Sequence, residues 1–270
     1  MIEEIFFQDE GRLTITAASV GLSHQRWAFT TDEEVETKSH LKVMRENRFD
    51  VLPIVGKNGK TVSYVKTRVP NEYSQTEVLP ITYEDTLQLD SNIREVIDLF
   101  DRTNRNFFFL TFKNEVKGLI TIGNLNCRQV QVLLFSLICE LERSLEEFLY
   151  YCLSEAETIA WAKSKVDDSR EDCKYRLMLA TYEQLISLDL ENKFTEHFYF
   201  VDLLNIITEK GLYNEFGLSR RKWTHFNSIN EIRKRVAHPN RSLIDNENTV
   251  KKLNQRLTKI DKLLFMLKNR

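Results

Sequence analysis

Two groups of residues have the types and spacing that chemistry needs. Arg233 and His238 stand five positions apart in Asn230-Glu231-Ile232-Arg233-Lys234-Arg235-Val236-Ala237-His238-Pro239. Histidine titrates near neutrality and serves as a general base or acid. Arginine presents a planar fork of donors that fits a phosphate. On an ideal helix five positions turn about 500°, so these two side chains would lie about 140° apart. Pro239 disfavours helix at His238 itself, so the imidazole turns back toward the arginine only where the helix unwinds. The second group is Gly118-Leu119-Ile120-Thr121-Ile122-Gly123-Asn124-Leu125, a strand-like run whose end carries a hydroxyl and a carboxamide three positions apart. Arg102 and Arg105 lie just before the strand that precedes it and can neutralise phosphate.

Other constellations are weak. His24, His40, His197 and His225 show no metal-ligand spacing. Cys127, Cys139, Cys152 and Cys173 include no CxxC pair, so neither a zinc knuckle nor a disulfide framework is expected. Gly56-Lys57-Asn58-Gly59-Lys60 lacks the length and the Ser/Thr of a phosphate-binding P-loop. No metal is called for.

The elements that must position these residues read as two halves. Phe49–Val55 is an apolar run, followed by a glycine turn and a strand over Thr61–Val65. Phe107–Phe112 is a second such run, followed by a polar turn and a strand over Lys117–Ile122. A helical stretch precedes each hairpin, Ser39–Asn47 and Ile93–Arg102. The spacing of about 55 residues marks an internal repeat. Beyond residue 130 the period becomes helical. Leu134, Ile138, Leu141, Leu145, Phe148 and Leu149 form one stripe of a helix over Val132–Leu153. Further helices are expected at about 172–188, 196–208, 219–237 and 248–268, together a bundle. Trp27, Trp161 and Trp223 are expected in core or interface positions. The fold class is therefore α+β, with domains at 1–130 and 131–270.

Composition fits this reading. The chain has 270 residues, 42% apolar and 29% charged, with a net charge of -2. Charge is uneven: residues 1–130 carry -3, 131–216 carry -9 and 217–270 carry +10. The basic end suits phosphates, or a solvated face, or pairing with the acidic helices before it. No apolar run reaches the roughly 18 residues of a membrane span. The N-terminus has acids where a signal peptide carries base. Together with the cysteine usage, this points to a cytoplasmic home.

The repeated hairpins resemble a tandem CBS-domain pair over about residues 12–128. Gly118-Leu119-Ile120-Thr121 with Asn124 is similar to the family's G-h-h-T-x-x-D ending (h, apolar), and Leu52-Pro53-Ile54-Val55 to the signature that precedes it. The resemblance implies a cleft between the repeats that senses an adenine nucleotide (AMP, ATP or a cyclic nucleotide) as a regulatory ligand, with no cofactor required. The ligand-binding positions it implies are Gly118, Ile120, Thr121 and Asn124, with Arg102 and Arg105. Asn124 replaces the family's aspartate and has one carbonyl acceptor in place of a carboxylate. In the first repeat the threonine and aspartate positions fall on Lys66 and Val69, so the surviving site is the one at Thr121 and Asn124.

Residues 131–268 resemble a HEPN domain, whose catalytic members are metal-independent ribonucleases with an R-x4–6-H motif. The resemblance implies a homodimer that brings two such motifs together, with Arg233 and His238 catalytic and RNA as substrate. Lys234 stands where active members commonly carry Asn, Asp or His. An alternative for Arg233 and His238 is a helix-end cap with bridges to acids such as Glu142 or Glu146. Together the resemblances imply a nucleotide-regulated protein that binds or cleaves RNA, ligand in the first domain acting through the first long helix. The alternative is a non-catalytic regulator whose helical domain only dimerises or binds a protein partner.

Overall fold

The computed structural model describes residues 15–270 apart from 168, 171, 191, 192 and 239. Contacts gather the chain into two units, one running up to Val130 and taking in Ile244–Val250, the other made of Gln131–Leu243 and Lys251–Arg270. The first unit is mixed. In chain order it holds α1 (Ala17–Val20), β1 (Leu22–Ser23), α2 (Asp32–Glu36), α3 (His40–Asn47), β2 (Val51–Val55), β3 (Thr61–Thr67), β4 (Thr76–Pro80), β5 (Thr86–Gln88), α4 (Ile93–Thr103), β6 (Phe107–Phe112) and β7 (Glu115–Thr121).

The internal repeat is present as geometry. Both α3 and α4 end on a left-handed residue, Arg48 at φ 55° and Asn104 at φ 53°. That turn swings the chain back into a strand. Each strand then folds on itself as an antiparallel hairpin, β2 on β3 and β6 on β7. Each is also met on its other side by a parallel neighbour, Ile54 by Thr30 and β6 by β5. Val51 pairs with Lys66, and Phe107 pairs with Thr121. Lys66 and Thr121 thus hold the same place in the two hairpins.

The sheets are β2-β3-β4 and β1-β7-β6-β5. Between the repeats lies an aromatic core of Trp27, Tyr64, Phe107, Phe109 and Leu119. Tyr64 from the first repeat meets Phe107 and Phe109 of the second at 5.5 and 5.3 Å, ring centre to ring centre. Met44, Leu52, Ile54 and Val65 fill a second core under α3. Burial of each such side chain contributes roughly 2 kcal/mol.

The helical unit comprises α5 (Arg128–Cys152), α6 (Glu155–Lys163), α7 (Lys174–Ser187), α8 (Phe200–Glu209), α9 (Arg220–Thr224), α10 (Ile229–Val236) and α11 (Val250–Lys268). The stripe on α5 is buried from Leu134 to Leu149, and on α11 Val250, Leu253, Leu257, Ile260 and Leu264 are buried. Trp27, Trp161 and Trp223 are also buried.

Three expectations change. The first long helix starts at Arg128, before residue 132. The expected 219–237 helix is broken into α9, a 3-10 turn over His225–Ser228, and α10. Trp223, Phe226, Ile229 and Ile232 are all buried at a spacing of three, which a 3-10 turn aligns and an α-helix does not. Finally, α6 was not expected. It starts on a capping box: Ser154 Oγ accepts from the Glu157 N–H at 3.3 Å, and the Ser154 N–H donates to Glu157 Oε2 at 2.8 Å. No helix among the described residues is long and apolar enough to cross a membrane.

Candidate functional site

The chain end of β7 is built from short-range bonds. Thr121 donates both its N–H and its hydroxyl to Asn124 Oδ1, at 2.7 and 2.8 Å. Both lone pairs of that carbonyl are thereby used, and the carboxamide NH2 takes no part in this turn. Ile120 is fully buried, so only its backbone can meet a ligand. Gly118 is buried because β1 runs close over it. A Cβ there would stand 2.6 Å from the Leu22 carbonyl oxygen.

Arg105 sits at the same edge of the sheet. Its neighbour Asn106 accepts from the Ile122 N–H at 3.0 Å, which ties the start of β6 to the end of β7. The Arg105 guanidinium bridges Asp85 and also Glu84, the latter at 3.2 Å. Arg102 lies on the last turn of α4 and is exposed.

Asp85 is the group at this edge that sequence reasoning missed. It is buried, and its Oδ2 accepts the Thr82 N–H at 2.9 Å and the Thr82 hydroxyl at 2.7 Å. Thr82–Asp85 therefore repeats the bonding of Thr121–Asn124, with a carboxylate in the acceptor role. Burial pushes the Asp85 carboxyl up, and the bonds from Thr82 and Arg105 outweigh it and hold the group below its ordinary value. Burial, followed by the nearby Asp85 carboxylate, raises the Tyr64 phenol despite Arg105. The signal for Asp85 was present as a T-x-x-D string directly after a strand-like run. Its partners Arg105 and Tyr64 lie 20 and 21 positions away.

The first repeat has no such end on its own hairpin. Lys66 takes the place of Thr121, and Val69, where the aspartate would stand, is 49% exposed. The neighbouring Thr67 hydroxyl donates to Asp50 at 3.0 Å.

In the helical unit Arg233 and His238 have separate surroundings. Arg233 Nε donates to Glu142 Oε1 at 3.3 Å, a bridge from α10 to α5. Lys234 pairs with Glu231 at 3.2 Å on its own helix. His238 lies in the exposed turn beyond α10, its N–H bonded to the Arg235 carbonyl at 3.2 Å. Pro239 falls outside the described residues. Glu146, the other acid expected near this motif, instead accepts from the Thr195 hydroxyl at 3.2 Å. Among the described residues no three His, Cys, Asp or Glu side chains are grouped to hold a metal.

Solved structures similar to this chain include CBS-domain proteins. CBSX2 in complex with AMP is 14% identical, covering 43% of this chain and 97% of its own, with a TM-score of 0.35. The CBS domains of a transcriptional regulator from Streptococcus pneumoniae are 17% identical, covering 40% of this chain and 92% of their own, with a TM-score of 0.33. Hypoxic Response Protein I, with two coordinated zinc ions, is 15% identical over 41% of this chain and 96% of its own, with a TM-score of 0.31. No family model and no curated protein matches the chain.

Proposed function

We propose that the first unit is a CBS-type pair that takes an adenosine ligand at the Thr121–Asn124 edge, and that the chain is a regulator whose helical unit is not catalytic. The observation that carries the first part is the matched register of the two repeats. Thr121 follows the register position of Lys66 at the end of the second hairpin, and its bond to Asn124 Oδ1 supports reading that turn as the ligand edge. The second part rests on Arg233. Its Nε donates to Glu142, and a cation that shares its charge with a carboxylate holds a phosphorane more weakly. Among the described residues, His238 is tied in place by backbone bonds to Arg235 and Arg241 and not by a side-chain acceptor of the kind that orients a general base. The helical unit's role in this reading is to dimerise or to bind a protein partner.

The test is calorimetric titration of the full chain with adenosine, AMP and ATP, on wild type and on Asn124→Asp. Restoring a carboxylate makes the ribose bond charge-assisted, and binding should tighten by about threefold or more. Absence of binding by every compound to both proteins would overturn the ligand reading. Metal-free cleavage of RNA that disappears in His238→Ala would overturn the non-catalytic reading of the helical unit.

A further inference from the structure

The charge at the Thr121–Asn124 edge tells which adenosine ligand it suits, on the reading of that edge given above. One arginine there, Arg105, faces two carboxylates, Asp85 and Glu84. Asp85 is inside the protein, its side chain 6% exposed, and is held ionised by Thr82 and Arg105. Glu84 is at the surface. The cluster therefore carries one more negative charge than positive. The remaining arginine, Arg102, is exposed on α4, where a charge is well screened. At Thr121 and Asn124 the groups are neutral, and the hydroxyl proton that a phosphate oxygen would need is spent on the Asn124 carbonyl.

We infer that this edge selects an adenosine derivative that carries no phosphate. The ribose has hydroxyls for the Asn124 amide, and a nucleoside adds no charge to the cluster. A nucleotide would bring at least one negative charge to an end of the sheet where carboxylate is already in excess. To gain Arg105 it must displace Glu84, and Asp85 still remains on the guanidinium. The protein's own acids occupy the position that a phosphate would want.

The experiment measures adenosine, AMP and ATP on the full chain at low salt and again at about 0.15 M ionic strength. Adenosine should bind about tenfold more tightly than AMP at low salt, and the gap should narrow as salt rises. Glu84→Gln removes the exposed acid without touching the buried one. It should tighten AMP by several-fold and leave adenosine unchanged. AMP or ATP binding as tightly as adenosine in the wild type overturns the inference and leaves the adenosine site standing. So does a Glu84→Gln protein whose preference is unaltered. Failure of all three compounds to bind overturns the site itself, and the inference with it.

Discussion

Asp202 has no exposed surface, yet it is a carboxylate. It accepts from the Tyr175 hydroxyl at 2.8 Å, from the Tyr199 N–H at 3.2 Å, and from the Lys174 ammonium. A buried acceptor with three donors is satisfied, and removing it leaves a cavity and strips the half-buried Tyr175 hydroxyl and the Tyr199 N–H of their acceptor. Asp202→Ala is expected to cost about 3 kcal/mol, read by urea unfolding. A loss within about 0.5 kcal/mol would show that the cluster contributes little. Two other acids respond to pH with opposite signs. Asp85 has a depressed pKa, so the folded state binds its proton less readily than the unfolded chain. Its contribution is present above about pH 4 and is lost as pH falls through the lower folded value. Burial raises Glu146, against the bond from Thr195 and with help from Glu196. Its contribution is present below about pH 4.3 and is lost as pH rises through the higher folded value. Unfolding free energies from pH 3 to 7 should therefore flatten on the acid side in Asp85→Asn. In Glu146→Gln they should lose a decline above pH 4.

At the scale of the element, the hairpins follow from local pattern. Phe107–Phe112 is an apolar run broken only by Thr111, it lies between polar turns, and it forms β6 with those same ends. The helices before the two hairpins were legible within a residue or so, because their apolar spacing and their ends are written locally. By contrast β4 is five residues closed by Pro80 and β5 is three residues, too short for a period to show. The short helix α6 announces itself only through its Ser154–Glu157 box. Arg105 stands out in the sequence as a candidate, but its counter-charges do not, because Asp85 reaches it only through the pairing of β5 with β6. Two substitutions probe these elements. Gly118→Ala would push a methyl group into the Leu22 carbonyl and lift β1 from β7. The expected loss is about 2 kcal/mol, with faster exchange of the His24 amide, which now donates to the Lys117 carbonyl at 2.8 Å. Arg48→Gly relieves a left-handed C-cap and should stabilise the unit by about 0.5 kcal/mol. Destabilisation there would mean that the exposed Arg48 side chain makes contacts that matter more than its backbone.

For the whole molecule, a division at residue 130 is incomplete, because Ile244–Val250 returns to the first unit from more than a hundred positions away. The attachment is specific. Asn126 Nδ2 donates to the Ile244 carbonyl at 3.0 Å, and its Oδ1 accepts from the Ile244 N–H at 2.8 Å. One carboxamide thus satisfies both backbone groups of one residue, as a strand neighbour would. No periodicity could reveal this, since the signal is one polar side chain matched to one distant peptide. The geometry makes a graded prediction. Asn126→Ser removes one or both bonds and should cost about 1–2 kcal/mol. Asn126→Asp keeps the size and the acceptor, but it turns a second oxygen toward the Ile244 carbonyl, so it should cost more than the serine despite the smaller change in shape. Thermal unfolding of the full chain, with amide exchange followed at Ile244, decides the order. If aspartate is tolerated as well as asparagine, the return segment is held by apolar burial at Val250, and the carboxamide pairing is incidental to it.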